Sequence, residues 1–204
     1  GNANDVSGNG NNGTFVGAST LTADRFGIAN SAFQGGTSYV TCPSTVFQFS
    51  RSSNFSISAW FTKSTTDSSR LLSTENPEGN FRISINGSGS LSIEFGDYLN
   101  HTINDTNWHH LVYTYENRSE KIYVDGVLIT TNTDASTEVL NYGSPFTIGA
   151  KAAPSYDKWN GKIDDIGVWN RVLTPQEITN IYTHTTSLAC LPTNVSTTGL
   201  VGYW

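Results

Sequence analysis

The stretch HLVYTYENRSEKIYVDGVLITT, residues 110–131, decides the fold class. Apolar and polar residues alternate in the runs HLVYTY, KIYVDG and VLITT, and alternation with a period of two is typical of β-strands that bury one face. Asp125 and Gly126 separate two of these runs. An Asp-Gly pair in this position favours a type I′ turn, because both central residues of that turn need a positive φ. The stretch therefore predicts an antiparallel hairpin.

Similar runs recur along the chain at intervals of roughly 8 to 12 residues, separated by Gly, Asn, Asp and Ser, as in antiparallel sandwiches and barrels. Residues 85–93, INGSGSLSI, predict a second hairpin. One helix signal stands out: Thr174-Pro175-Gln176-Glu177 is a capping box with Pro at the first helical position. It predicts a short amphipathic helix near residues 175–183. The predicted fold class is all-β with this one helix.

The composition agrees with one all-β domain and excludes several partners. Of 204 residues, 36% are hydrophobic, only 14% are charged and 19 are Gly, a balance that favours strands and turns. The net charge is −6 and the 11 Lys and Arg form no run, so we expect neither nucleic acid nor an anionic lipid surface as a partner. No segment approaches the ~20 apolar residues of a membrane-spanning helix. Membrane insertion is therefore not expected.

The chain has two cysteines, Cys42 and Cys190. A bridge between them would close a long loop and stabilise the fold by up to ~4–5 kcal/mol in the chain-entropy model. Two buried free thiols fit the sequence equally well. Both alternatives stay open at this point.

Four segments together resemble the laminin G-like jelly-roll domains of the concanavalin A-like lectin/glucanase superfamily, in the form common in large secreted bacterial proteins. The resemblance implies an antiparallel β-sandwich of jelly-roll type in a secreted or cell-surface bacterial protein. It also implies a non-catalytic binding or adhesion module, whose partner would be a glycan or a surface glycoprotein. The segments are GNANDVSGNGNNGT (1–14), TADRFGIANSAF (22–33), NWHHLVYTYENRSEKIYVDG (107–126) and GKIDDIGVWNRVLTPQEITNIY (161–182).

The C-terminal segment GLVGYW, Gly199 to Trp204, alternates like a strand. In the family that this chain resembles, a strand much like LVGYW comes before the Asn/Gly-rich loop, whereas here it follows the sandwich. We therefore expect a jelly-roll domain at 1–186, a linker at 187–198 and a terminal strand at 199–204. The strand would complete either its own sheet or that of a neighbouring copy, as in a tandem repeat or a self-assembling structural repeat.

The resemblance also suggests a structural Ca²⁺ ion. In KIDDIGVW, Asp164 shares a strand face with aliphatic residues, and an ionised buried carboxylate needs a partner. Ca²⁺ takes six to eight oxygen ligands. The suggested ligands are Asp5, the carbonyls of Gly8 and Gly10, Asn12 and Asp164. The alternative is that Asp164 accepts backbone N–H bonds from the Asn/Gly-rich loop.

Aromatic residues in loop-like stretches are candidates for sugar contact. They are Tyr98 in EFGDYLNH, and Tyr156 and Trp159 in APSYDKWNG. Aromatic faces and nearby amides or carboxylates are typical of carbohydrate sites. The alternative for Trp159 is that it packs beneath the loop that precedes the last long strand.

Catalysis is not expected. The Glu-X-Asp-X-X-Glu string of the jelly-roll glucanases is missing, and Asp164 and Asp165 point to opposite faces of a strand. The adjacent His109 and His110 also point to opposite faces, so they cannot chelate one metal ion together. A degenerate glycoside hydrolase remains an alternative to the binding module.

Overall fold

The computed structural model describes residues 2–18, 20–64, 69–74, 81–94, 98–135, 144–151, 157–184, 192 and 194–204. Within these residues the chain forms strands, one short 3₁₀ turn (Ser44–Val46) and the helix α1 (Pro175–Tyr182). The strands are β1 Thr14–Val16, β2 Thr20–Thr22, β3 Ala32–Gln34, β4 Tyr39–Cys42, β5 Asn54–Phe61, β6 Ser69–Ser73, β7 Arg82–Ile85, β8 Ser90–Glu94, β9 Tyr98–Thr102, β10 His109–Glu116, β11 Ser119–Val124, β12 Val127–Thr133, β13 Phe146–Ile148, β14 Lys162–Trp169 and β15 Leu200–Tyr203.

Two antiparallel sheets form a sandwich. The seven-stranded sheet has the order β1-β4-β13-β6-β7-β8-β9, and the eight-stranded sheet has the order β12-β11-β10-β5-β14-β3-β2, with β15 paired to β14. The core between the sheets is rich in aromatic rings: Phe47 lies 5.1 Å from Phe49, 5.4 Å from Phe55 and 4.5 Å from Phe81 between ring centroids. Burying each such ring contributes about 1.5–3 kcal/mol. The predicted antiparallel sandwich is confirmed.

The local predictions are also confirmed. Asp125 and Gly126 both have positive φ, at 52° and 76°, between β11 and β12. Strands β7 and β8 form the second hairpin. At the start of α1, Thr174 Oγ1 accepts from Glu177 N at 3.2 Å and the Glu177 carboxylate accepts from Thr174 N at 2.9 Å. The helix covers the outer face of the eight-stranded sheet, where Ile178 and Ile181 pack on Val112, Tyr123 and Trp169.

The terminal strand completes the sheet of its own chain. In the register of β15 against β14, Tyr203 stands opposite Gly167 and Gly202 opposite Val168. The ring of Trp204 packs on the core, 6.2 Å from Phe146. Pairing of this strand with a neighbouring copy stays a prediction.

Half of the predicted linker at 187–198 lies outside the described residues. Its last part packs against the domain: Val195 is buried in the cluster under α1, and Arg171 donates to the carbonyl oxygens of Ser196 at 3.0 Å and Thr198 at 2.7 Å. Residues 194–198 therefore anchor the terminal strand to the sandwich.

Candidate functional site

Trp159 is a core residue. Its side chain is 0% exposed, its Nε1 donates to the Thr62 carbonyl at 3.0 Å, and its ring meets Phe61 edge-on at 5.5 Å. A sugar stacks on an exposed ring face, so the prediction that Trp159 contacts a ligand is inconsistent with this burial. The alternative, packing inside the domain, is what the structure has. Tyr156 lies outside the described residues.

The N-terminal loop (residues 2–13) holds the terminal strand. Asp5 Oδ1 accepts from the backbone N of Ser7 at 2.8 Å and of Tyr203 at 3.0 Å, and Oδ2 accepts from Asn11 N at 2.9 Å. Burial raises the pKa of Asp5, but hydrogen bonds from Ser7, Tyr203 and Asn11 outweigh it and the pKa lies below its ordinary value. Asn12 Oδ1 is also engaged, accepting from Asp5 N at 3.0 Å. Amide donors therefore already surround the Asp5 carboxylate.

Asp164 has a different partner. The Arg25 guanidinium contacts both Asp164, at 3.5 Å, and Asp165, and stacks over the rings of Phe26 and Trp60 at 4.3 and 4.5 Å. Burial, and next the charge of Asp165, raise the pKa of Asp164 to about 8. The partner of the Asp164 carboxyl group is therefore Arg25, 139 residues away in sequence. It takes the place of the expected calcium ion or loop amides.

These partners do not fit the predicted calcium ligands. Asp5 accepts from N–H dipoles, and the Arg25 guanidinium beside Asp164 would repel a second cation. Gly8 and Gly10 have positive φ, 89° and 74°, as a tight loop requires. In the described part of the chain, no group of three or more His, Cys, Asp or Glu side chains could hold a metal ion. Calcium binding itself stays a prediction, without support from this ligand set.

Cys42 is a free, buried thiol, and Cys190 lies outside the described residues. Burial, and next the charge of Asp5, raise the pKa of Cys42 to about 12. The bridge between Cys42 and Cys190 is therefore not formed in this structure. Cys42 serves as a small apolar core residue.

The two adjacent histidines have separate environments. His110 Nε2 lies 2.8 Å from Ser58 Oγ, and burial lowers the pKa of His110 to about 3. His109 bridges Asp125 (Nδ1, 2.8 Å) and Asp105 (Nε2, 3.0 Å), and the Asp125 hydrogen bond comes first among the causes that raise the pKa of His109. They do not form one metal or acid–base site.

The strongest candidate site is the outer face of the seven-stranded sheet. Core residues on its strands alternate with polar residues that point away from the core. In the register, Thr41 stands opposite Thr147, Thr147 opposite Ser73, and Ser73 opposite Arg82. In a second row Arg70 stands opposite Ser84, and Ser84 opposite Ser92. We call this surface the polar face; it consists of Thr41, Arg70, Ser73, Arg82, Ser84, Ser92 and Thr147.

Burial and hydrogen bonding distinguish the polar face from an ordinary solvated sheet surface. Thr147 and Ser73 are fully buried, and Ser84 and Ser92 are 6% exposed, although none of them faces the core. Ser73 Oγ donates to the Ala150 carbonyl at 3.0 Å. The hydroxyls of Ser92 and Thr147 have no hydrogen-bond partner in the structure as described. Leaving a buried hydroxyl unsatisfied costs about 1–3 kcal/mol, so an ordered water is expected beside each of these two.

Charged groups lie at the more open part of this face. Arg70 and Arg82 are both half-buried. The Arg70 guanidinium lies 3.5 Å from the Asp157 carboxylate, and Arg70 N donates to the Asp157 carbonyl at 3.0 Å. Tyr98 of β9 stands opposite Ser92 in the register. Of the three aromatic residues predicted to contact a ligand, Tyr98 is therefore a register neighbour of the polar face.

The sequence contains a signal for this surface, but no single motif carries it. RISI, SLSIE and FTI each alternate apolar residues with Ser, Thr or Arg. Within one strand such alternation indicates only a solvated face. The structure adds the register, which aligns these residues across neighbouring strands into two continuous rows.

Comparisons with known proteins agree with this fold. Residues 34–179 match a family model described as the Concanavalin A-like lectin/glucanases superfamily. No curated protein matches the sequence. One similar solved structure is domain 4 of AbnA, a GH43 extracellular arabinanase from Geobacillus stearothermophilus in complex with arabinotriose, with 22% identity, TM-score 0.67 and coverage of 87% of this chain and 91% of that chain.

Two further structures share the fold over part of their length. Botulinum neurotoxin type C, whose cell entry depends upon interaction with two ganglioside molecules, has 19% identity, TM-score 0.67 and coverage of 87% of this chain and 47% of that chain. A Trypanosoma rangeli sialidase has 20% identity, TM-score 0.60 and coverage of 80% and 29%. At these identities the likeness shows the fold alone.

Proposed function

Since the chain belongs to the Concanavalin A-like lectin/glucanases superfamily, we propose that it is a non-catalytic carbohydrate-binding module that holds a glycan on the polar face. The observation that carries this proposal is the alignment of Ser, Thr and Arg side chains in two rows across neighbouring strands. Sugar hydroxyls both donate and accept hydrogen bonds, so a glycan would bind the half-buried members of these rows, Thr41, Arg70 and Arg82. The ligand could be a free glycan or the glycan of a surface glycoprotein.

The side chains of this face suit a polyhydroxylated ligand. Ser and Thr hydroxyls donate and accept, and the guanidiniums of Arg70 and Arg82 add planar donor groups. Rigid strands position these groups, so little ordering is needed on binding. The binding of arabinotriose by an arabinanase domain of the same fold is consistent with the proposal.

The environment of Asp164 and Asp165 argues against a glycosidase site. A retaining enzyme places two carboxylates about 5 Å apart on either side of a bound sugar. Asp164 and Asp165 share Arg25, and their side chains are only 11% and 18% exposed. The cavity that Asp164 lines has a volume of about 50 Å³ and is lined mostly by apolar residues such as Phe33, Ile163 and Trp204. It has no room for a sugar ring, so a binding module is better supported than a degenerate hydrolase.

We also propose a secreted or cell-surface location, as expected from the resemblance to bacterial extracellular proteins. The arabinanase to which one neighbouring domain belongs is described as extracellular. No helix in the described part of the chain is long and apolar enough to span a bilayer.

A glycan array followed by calorimetry tests the proposal. Thr41→Val removes a half-buried hydroxyl of the polar face at nearly constant shape, so it should weaken glycan binding about tenfold, the equivalent of one lost hydrogen bond. Thr22→Val is the matched control, because Thr22 is also half-buried but belongs to the other sheet. Absence of binding to any glycan, or equal binding by all variants, would contradict the proposal.

A second candidate function is self-assembly through the terminal strand. Side chains of the N-terminal loop contact main-chain atoms of this strand. Asn9 Nδ2 donates to the Leu200 carbonyl and Asn11 Nδ2 to the Val201 carbonyl, both at 2.8 Å. A strand from a second copy could accept the same hydrogen bonds, which would link copies head to tail. Light scattering after size-exclusion chromatography would show oligomers that grow with concentration. A monomer at all concentrations would exclude this role for the chain.

A further inference from the structure

We propose that a polar cavity at one end of the sandwich is a second site, which binds a single neutral polyol of monosaccharide size. The cavity has a volume of about 210 Å³, below the roughly 300 Å³ at which sites for drug-sized ligands begin. We call it the end cavity. Its polar lining residues are Lys63, Ser64, Ser88, Asn104, Asp105 and Thr106.

Three segments form the walls of the end cavity, and hydrogen bonds hold them together. They are the residues that follow β5, the turn between β7 and β8, and the residues that follow β9. Lys63 Nζ donates to the Asn86 carbonyl at 2.9 Å, which ties the first wall to the turn. Ile103 N donates to the Gly89 carbonyl at 2.9 Å, which ties the turn to the third wall.

The turn itself is rigid and tightly packed. Asn86 Oδ1 accepts from Ser88 N at 3.0 Å, from Ser88 Oγ at 2.7 Å and from Ser90 N at 2.9 Å. Gly89 has a φ of +82°, and a Cβ there would lie 2.4 Å from the Ile103 carbonyl oxygen, so only glycine permits this close approach. The end cavity therefore exists before any ligand enters, which lowers the entropic cost of binding.

The lining chemistry selects a neutral polyol. Asp105 Oδ1 accepts from Asn107 N at 2.8 Å and from His109 Nε2 at 3.0 Å. The Asn107 hydrogen bond, and next that of His109, lower the pKa of Asp105, so this carboxylate is an ionised and oriented acceptor at neutral pH. Asn104 offers both a donor and an acceptor, and Ser88 and Thr106 offer hydroxyls. Neutral polar side chains outnumber charged ones in the lining, so a neutral ligand with adjacent hydroxyls matches the cavity better than an ion.

The end cavity is separate from the polar face, since the two share no residue. It also contains no aromatic ring among its lining residues, so recognition would rely on hydrogen bonds, and affinity would be weak. This inference goes beyond the proposed function and does not depend on it.

A titration of ¹⁵N-labelled protein with individual monosaccharides tests the inference. We expect saturable shifts, in the millimolar range, of backbone amides at residues 63–64, 87–89 and 103–106. Asp105→Asn and Thr106→Val should each weaken binding about tenfold. Thr102→Val is the matched control: it also changes an exposed Thr, four residues earlier and outside the end cavity.

Each outcome decides the inference. Binding that is lost in the cavity variants, and kept in Thr102→Val and Thr41→Val, supports the end cavity. Absence of saturable binding by every monosaccharide overturns it. Binding that survives the cavity variants but is lost in Thr41→Val also overturns it, and assigns the ligand to the polar face. Unchanged Tm values exclude misfolding as the cause.

Discussion

Replacing Asp5 by Ala should loosen the terminal strand, because the Asp5 carboxylate joins the N-terminal loop to it. The variant loses three acceptor contacts, those with the backbone N of Ser7, Asn11 and Tyr203. The contact with Tyr203 spans 198 residues of sequence. Asp5 thus joins the two ends of the described chain, and its loss should affect the β14–β15 ladder.

The expected magnitude follows from the kind of contact. A hydrogen bond to a charged group contributes about 1.5–3 kcal/mol, and water replaces part of this at a half-exposed site, so we expect about 3 kcal/mol in total. For a chain of this size that lowers Tm by about 6–12 °C. Asp5→Asn should lose less, because an acceptor oxygen remains. Glu116→Ala is the control, since it removes the same charge at an exposed position.

Calorimetry and urea unfolding measure this difference, and its pH dependence checks the cause. The pKa of Asp5 in the folded chain lies below its ordinary value of 3.8. The stabilisation is therefore complete above that value and is lost as the pH falls through the folded pKa. The advantage of wild type over Asp5→Ala should shrink in acid. A Tm loss no larger than that of Glu116→Ala would refute the assigned role.

The same experiment examines calcium. If Asp5 binds amides only, adding calcium or a chelator should leave the Tm of wild type unchanged. If Asp5 instead holds an ion, calcium at a hundredfold excess over Kd would add about 2.7 kcal/mol to wild type. That gain would be missing in Asp5→Ala. This second result would support the prediction that Asp5 is a calcium ligand.

Three further outcomes are expected. Asp164 keeps its proton up to about pH 8 in the folded chain but only to about pH 4 when unfolded, so stability should fall as pH rises between these values; Asp164→Asn should flatten that slope in urea unfolding. Glu177→Ala should cost about 1–2 kcal/mol in urea unfolding, because it removes the capping box and the contacts with Arg171 at 2.6 and 2.8 Å. Cys42 should resist iodoacetamide in the native state and be alkylated after unfolding, as mass spectrometry would show, since its pKa is raised to about 12.

Local signals in the sequence were sufficient for the hairpins, the helix and the terminal strand. An Asp-Gly pair and a capping box act within four residues, so the Asp125 turn and the start of α1 could be predicted without tertiary information. The strand at 200–203 could be predicted from alternation. That it pairs within its own chain could not, because that depends on the contacts of the N-terminal loop with Tyr203 and Trp204.

The site predictions were weaker because their partners are remote in sequence. Asp164 was expected to bind calcium or a loop, but its partner Arg25 lies 139 residues away. Trp159 lies in a loop-like stretch, which predicts either sugar contact or packing beneath the loop; its ring is buried and meets Phe61 edge-on. The polar face depends on the pairing of β6 with both β7 and β13, which brings together Arg82, Ser73 and Thr147. No motif within a single strand contains that information.

The central claim is that a glycan binds on the polar face. The most direct measurement is the map of backbone amide shifts when ¹⁵N-labelled protein is titrated with the glycan that binds best on an array. We predict that the largest shifts fall on β6, β7, β8 and β13, around Ser84, Ser92 and Thr147. Shifts confined to the helix-covered face of the other sheet, or no shifts with any glycan, would contradict the claim.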